Sequence, residues 1–284
     1  MIALNVIVYS TQDIAGKNIV SKLRDKVNFK SYSDEWGGLA IASPPICGKT
    51  VTLIAVKSMI TDFNIPPEIK NVDSIICATR HASESGIPAL TTHTPGNFSS
   101  ADFGGEAEKL AVSNPFGLKA ALKKMNELNK AYNIGYRVSY EVTHHGPTLP
   151  YTIQFVEIGG SYKQWVDTKA AEIAAEPIIG ILSEDKRLGE VAVGVGGGHY
   201  APSFTRIGLE TGMNIGHIIP KYKLNSLKKD VFLQTINSNL ADCRTVVIDW
   251  KGVPASPRAK IKEWSKEYGL ELIKTSDLLD KTAG

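Results

Sequence analysis

Short apolar runs rich in β-branched residues recur along this chain, and stretches of helical periodicity separate them. Ile2 to Tyr9, Val51 to Lys57, Ser74 to Thr79, Tyr151 to Ile158, Val191 to Val195, Met213 to Ile219 and Thr245 to Trp250 read as strands. Ser10 to Asp13 offer caps for a helix ending near Asp25. Leu118 to Tyr132 reads as a second helix, and Trp165 to Ala175 as an Ala-rich third that Pro177 stops. Such alternation argues for an α/β fold, a mixed sheet with helices on both faces. Tyr136 to Thr143 alternates, with Tyr136, Val138, Tyr140 and Val142 on one face, and a short Gly-Pro turn leads on to Tyr151. An antiparallel pair is therefore expected over residues 136–158. Residues 1–284 read as a single catalytic domain, with a weak lobe boundary near Pro220 to Ser226.

The balance of 32 Lys+Arg against 29 Asp+Glu, with 43% hydrophobic residues, excludes a disordered, collagen-like or coiled-coil chain. No apolar run approaches the ~18 residues of a membrane span, and the opening residues lack the basic stretch of a signal peptide. The three cysteines, Cys47, Cys77 and Cys243, have no CxxC spacing. Reduced thiols in a cytoplasmic protein are the expectation.

The basic excess sits in the last quarter, where residues 217–284 hold 12 Lys+Arg and 8 Asp+Glu. A helix is marked there by Ser256 as N-cap, Pro257 at the first helical position and Gly269 just past the end. Ile261, Trp264 and Tyr268 share one face. Arg258, Lys262 and Lys266 form a row at i, i+4, i+8, either a solvated face or an edge that contacts phosphates.

Six histidines concentrate the chemistry. His81 follows the strand Ser74–Thr79, His144 and His145 follow Tyr136–Thr143, and His199 follows Val191–Val195 across a glycine run. In open α/β sheets the ligand crevice lies beyond the carboxyl ends of the strands, so residues remote in sequence converge there. His93 lies in TTHTPGN, a segment rich in turn formers. His217 falls inside a strand pattern and reads as a structural, hydrogen-bonded histidine. In EVTHHGPTLP, a continued strand would send His144 and His145 to opposite faces. The turn at Gly146 and Pro147 is able to swing both into one pocket. Glu141 there suits a metal ligand, a histidine-orienting group or a base, with a surface carboxylate on an edge strand as the plain alternative. In GVGGGHYAP, Gly196, Gly197 and Gly198 leave the backbone bare beside His199, so that main-chain N–H groups can approach an anion.

Ser43 to Thr50, SPPICGKT, imitates a phosphate-binding loop. It lacks the first glycine, holds two prolines and runs into a strand where a helix is required. Neither HExxH nor GxSxG occurs.

Taken together, Thr79–Asn97, Ala101–Ala111, Val142–Thr148, Phe155–Trp165 and Gly194–Pro202 resemble the archaeal and plant type of D-aminoacyl-tRNA deacylase. The similarity runs from the first strand to Tyr222. The resemblance implies hydrolysis of the ester joining a D-amino acid to the 3′ end of tRNA. It also implies zinc dependence, a monomer, and a fold similar to the phosphorylase and peptidyl-tRNA hydrolase type.

The resemblance does not carry the ligands over; from the strand-end positions of the histidines, His81, His144 and His199 are the first candidates for zinc ligands, with His93 next. Glu141 or His145 would take the proton from water. Backbone groups of Gly196 to Gly198 would hold the oxyanion or the terminal ribose-phosphate, with Tyr200 beside them. Thr94, Gly96 and Asn97 would fix the amino-acid end, and Arg258, Lys262 and Lys266 would contact the acceptor stem. The competing expectation is a phosphorylase-like enzyme or amide hydrolase that acts on a small molecule without tRNA.

Overall fold

The computed structural model describes residues 4–33, 38–82, 86–183 and 188–280. The larger of two sheets contains β1 (Leu4–Ser10), β2 (Phe29–Ser33), β3 (Leu39–Ala42), β4 (Thr50–Val56), β5 (Val72–Ala82), β6 (Ala89–His93), β7 (Arg137–Tyr140) and β8 (Thr152–Gly160). Their order is β2-β3-β4-β1-β5-β8-β6-β7. The smaller sheet contains β9 (Val191–Val195), β10 (Asn214–Ile219), β11 (Thr245–Ile248) and β12 (Glu271–Lys274), in the order β10-β9-β11-β12 and parallel throughout. The first strand, expected from Ile2, has its described part from Leu4; Ile2 lies outside the described residues.

The helices are α1 (Ile14–Arg24), α2 (Pro115–Tyr132), α3 (Tyr162–Trp165), α4 (Thr168–Ser183), α5 (Pro202–Glu210), α6 (Lys229–Asn237), α7 (Ala255–Glu267) and α8 (Thr275–Asp280). Helices α1, α2 and α4 cover one face of the large sheet, where Ile19, Leu23, Met125 and Ile173 pack with Ile7, Ile76, Leu90 and Ile158. Its other face, carrying Val6, Val8, Ile75, Cys77 and Phe155, is closed by connecting segments through Ile60, Phe63 and Ala111. Helices cover both faces of the small sheet. Val231, Phe232 and Ile261 of α6 and α7 lie on one side, and Phe204 and Ile207 of α5 with Leu118 and Leu122 of α2 on the other. Helix α2 thus packs between the two sheets. The mixed α/β class is as expected, resolved into two sheets.

Three local expectations give way to tertiary structure. The 136–158 pair does not form, because β6 lies between β7 and β8, parallel to the first and antiparallel to the second. The antiparallel character survives at β6–β8 and in β2–β3–β4. Pro177 does not stop its helix but lies inside α4. A proline there removes one backbone bond at a cost of ~3 kcal/mol. The fully buried Ala170, Ala171, Ile173, Ala174, Ala175 and Ile178 offset that cost. The preceding break falls at Asp167, whose Oδ1 accepts the N–H groups of Lys169 and Ala170. Finally, Pro254 rather than Ser256 stands at the N-cap of α7, so Ser256 and Pro257 are first-turn residues. Gly269, at φ +61°, ends that helix as expected.

Candidate active site

The face of the large sheet opposite α1, α2 and α4 carries the chemistry. Because side chains alternate along a strand, Thr79 and His81 of β5, Phe155 and Glu157 of β8, and Thr91 and His93 of β6 share this face. His81 is the last residue but one of β5, and His93, expected in a loop, is the final residue of β6. Glu141 directly follows β7 and pairs through its backbone with Tyr200, which brings the glycine-rich segment from the small sheet against the large one.

Glu141 is the hub. Its carboxylate oxygens lie 3.0 Å from His199 Nε2, 3.4 Å from His81 Nδ1, 3.7 Å from His144 Nε2 and 3.8 Å from His93 Nδ1. A second carboxylate, Glu157, lies 3.7 Å from both His81 Nδ1 and His93 Nδ1. The rings pack on one another, His81 on His199 at 4.6 Å between centroids, His93 on His144 at 4.5 Å and His144 against His145 at 4.2 Å. Tyr200 closes the edge against His81 and His199, each at 5.7 Å, with the Arg137 guanidinium 5.2 Å from its ring.

Backbone contacts fix two tautomers. A carbonyl only accepts, so His144 donates from Nδ1 to the Val142 carbonyl at 2.8 Å, and His145 donates from Nδ1 to the Gly146 carbonyl at 2.6 Å. Both rings therefore keep an Nε2 lone pair for a ligand or a proton. His145 sits at φ +45°, the turn that places both rings in one pocket. Gly96 holds that turn, since its N–H donates to the His145 carbonyl at 2.7 Å.

The electrostatics divide the two carboxylates. Burial works against a charge on Glu141, but His199, His81 and His144 override it and hold the carboxyl at about 2. Burial and then the Glu141 charge push Glu157 well above the carboxylate range. Burial also pulls His93 and His144 well down and takes His145 to about 4. His199 is raised, because Glu141 outweighs the burial that opposes it. Two carboxyl groups with environments that split them is the arrangement of acid–base chemistry.

A cavity of about 650 Å³ opens onto this cluster, lined among others by His81, His144, His145, His199, Glu157 and Arg80. Gly96 and Asn97 also line it, Asn97 tying the neighbouring loop through Nδ2 to the carbonyls of Gly104 and Glu106. His93 and Glu141 are buried behind this wall.

Other expected residues lie elsewhere. Thr94 is buried with its hydroxyl on Ser113. The Gly196 N–H, expected to hold an anion, donates instead to the Ile219 carbonyl at 2.8 Å. The glycine run turns the chain at φ +118° and +86° so that His199 reaches the cluster, and none of the three glycines lines the cavity. Arg258 is not free in its row, since it donates to the Trp250 carbonyl and covers that ring at 4.6 Å. Lys262 and Lys266 are exposed on α7. His217 is the structural histidine expected, contacting Thr143 Oγ1 and the carbonyls of Ala111 and Ser238. Glu157 is a site residue beyond those expected, and a carboxylate within the apolar run Phe155–Ile158 is the signal that finds it.

An α/β protein with four histidines gathered on a buried carboxylate at a cavity floor belongs among the histidine–carboxylate catalysts or metal proteins. The comparisons define it further. The family model for D-aminoacyl-tRNA deacylase matches residues 68–273. The D-aminoacyl-tRNA deacylase of Thermococcus kodakarensis is 39% identical over 95% of this chain and 100% of its own length. That of Thermococcus onnurineus is 37% identical with the same coverage, and that of Pyrococcus furiosus is 42% identical over 74% of each chain. The crystal structure of a conserved protein of unknown function, AF0625, superposes with a TM-score of 0.88 at 28% identity over 98% of this chain and 97% of its own. The chain belongs to the D-aminoacyl-tRNA deacylase family.

Proposed function

We propose that this chain hydrolyses the ester of D-aminoacyl-tRNA, giving free D-amino acid and tRNA, at the cavity floored by the histidine cluster. Membership of the family supports the reaction. The observation that carries the site is a set of buried polar atoms without an aligned hydrogen-bond partner, namely His81 Nε2, His93 Nδ1 and Nε2, both oxygens of Glu141, and His199 Nε2. Each such atom costs about 1–3 kcal/mol if left unsatisfied. Their concentration around one carboxylate fits a cation.

The donor set is the imidazole-plus-carboxylate chemistry that zinc takes. His81, Glu141 and His199 present one group of ligand atoms within 4.8 Å of one another, and His93, His144 and His145 present another. Zinc, when bound, polarises the ester carbonyl and lowers the pKa of water from ~15.7 toward ~7. His81, His93, His144 and His199 are its proposed holders, with Glu141 as the shared anion. The chain's own residues do the rest. His145 reaches the cavity with a neutral Nε2 and takes the proton. The Nδ1 bonds of His144 and His145 to backbone carbonyls hold those rings in place. Gly96 and Asn97 shape the wall that meets the amino-acid end, and selection for the D form is steric.

Among the described residues no helix is long and apolar enough to cross a membrane. A cytoplasmic monomer acting on the tRNA acceptor end, with Lys262 and Lys266 toward the stem, belongs to the same proposal. Replacing His144 by Ala tests the site. Turnover of D-aminoacyl-tRNA should fall by orders of magnitude with the fold intact, and a mild effect would remove His144 from the site.

A further inference from the structure

The cavity mouth has an apolar rim that the hydrolytic centre does not use. Phe103 is 76% exposed, Tyr222 53% and Met59 52%, and all three line the cavity although they come from three separate segments. Of the other exposed aromatics, Tyr132 is covered by the Lys169 ammonium at 4.2 Å and Tyr268 by that of Lys229 at 5.7 Å, while Tyr162, 63% exposed on α3, does not line the cavity. Among the described residues, Phe103 and Tyr222 have no ring or cation partner.

The rim is built rather than loose. The Phe103 carbonyl accepts the Gly146 N–H at 3.1 Å, which ties it to the turn that carries His144 and His145. The next residue, Gly104, runs so close to Thr61 that an added Cβ would lie 2.2 Å from the Thr61 carbonyl oxygen. Tyr222 stands in the short 3₁₀ turn Lys221–Lys223 after β10, and Lys223 Nζ reaches Ser99 Oγ at 2.5 Å, joining this turn to the segment that leads to Phe103. Lys223 and Arg80, the latter with its guanidinium 5.2 Å from the Trp165 ring, also line the cavity and bring positive charge to it.

We propose that Phe103 and Tyr222, with Met59, form a stacking platform for the unpaired 3′ nucleotides of the tRNA, holding the terminal base at the mouth while the ester reaches the Glu141 centre. This rests on the deacylase reading. The scissile ester lies between the amino acid and the terminal ribose, so an amino acid that enters first leaves the ribose and its base at the rim. Unpaired nucleotides are bound by stacking on exposed aromatic faces, with cations tracking the phosphates. Exposed apolar side chains continuous with a polar catalytic floor and flanked by Lys223 and Arg80 have that composition.

The test uses the full protein with two probes. The first is uncharged tRNA carrying 2-aminopurine in place of its terminal adenine, whose fluorescence is quenched by stacking. The wild type should quench it, Phe103→Ala and Tyr222→Ala should each lose most of the quench, and Phe103→Trp and Tyr222→Phe should keep it. The second is deacylation of D-alanyl- and D-tyrosyl-tRNA. Each Ala variant should raise KM about tenfold or more, by the same factor for both esters, with kcat within about twofold and an unchanged circular-dichroism melt. Unchanged quench and KM in the variants of an active wild type would overturn the platform. A loss confined to D-tyrosyl-tRNA would also overturn it, because the rim would then hold the amino-acid side chain. A wild type that quenches the probe yet hydrolyses neither ester would overturn the deacylase reading instead.

Discussion

The Glu141 carboxylate lies 3.0 Å from His199 Nε2, and its two oxygens are also the nearest acidic neighbours of His81 and His144. The Glu141 carboxylate is the acidic group that these rings share. Glu141→Gln keeps the shape and removes the charge. It should cut single-turnover hydrolysis of D-aminoacyl-tRNA by at least ~10²-fold, on the scale of lost acid–base or electrostatic groups. Circular dichroism should show the fold retained. A loss below about threefold would mean that Glu141 only fills space.

His217 should make the fold acid-labile. Its folded pKa, about 4, is depressed from 6.5 by burial, so its contribution is fully present above pH 6.5 and is lost as pH falls toward 4. One such group is worth about 1.4 kcal/mol per pH unit, or roughly 2–3 kcal/mol between pH 7 and pH 4.5. Urea melts of wild type and His217→Asn at those two pH values check this. The variant should lose less stability on acidification by about that amount, and equal losses would contradict the assignment.

Close backbone contact holds the histidine turn. A Cβ on Gly146 would lie 2.3 Å from both the Thr61 carbonyl oxygen and the Gly105 nitrogen. Gly146→Ala should therefore destabilise the protein by about 1–3 kcal/mol. It should also lower kcat at least tenfold, since His144 and His145 precede it directly. Denaturant melts and steady-state kinetics read the two effects, and a normal kcat would show that the turn relaxes without moving the rings.

Lys262 and Lys266 are the exposed members of the basic row. Reversing both charges should weaken tRNA binding and reduce the slope of log K against log salt by about 2. Hydrolysis of a D-aminoacyl-adenosine fragment should be unaffected. Unchanged tRNA binding across a salt titration would make this face of α7 ordinary solvent surface.

Much of the site was legible because strand ends are legible. His81, His144 and His199 follow apolar runs that do become β5, β7 and β9, and the helix cap at Asp13 accepts the Ala15 and Gly16 N–H groups as its position implied. The TTHTP residues around His93 resemble turn formers and point to a loop, whereas the strand is imposed by pairing with β7 and β8. The 136–158 hairpin failed for the same reason, since a strand inserted from elsewhere in the chain is invisible to local pattern. Glu157 was hidden by its apolar neighbours. The glycine run suggests an anion cradle from sequence, because bare backbone suits either a ligand or a tight approach. Here the approach is to the Asp249 Cβ, 2.9 Å from a Cβ added at Gly196. The division into two sheets lies beyond periodicity, which shows strands but not which edges meet.

The most direct test compares hydrolysis of matched D- and L-aminoacyl-tRNA by protein purified without added metal, before and after chelation, with zinc content measured on the same samples. The D ester should be cleaved and the L ester spared, chelation should remove zinc and activity together, and zinc should restore both. Equal cleavage of the two esters would contradict the assigned reaction, and full D-specific activity in zinc-free protein would contradict the role given to the histidine cluster.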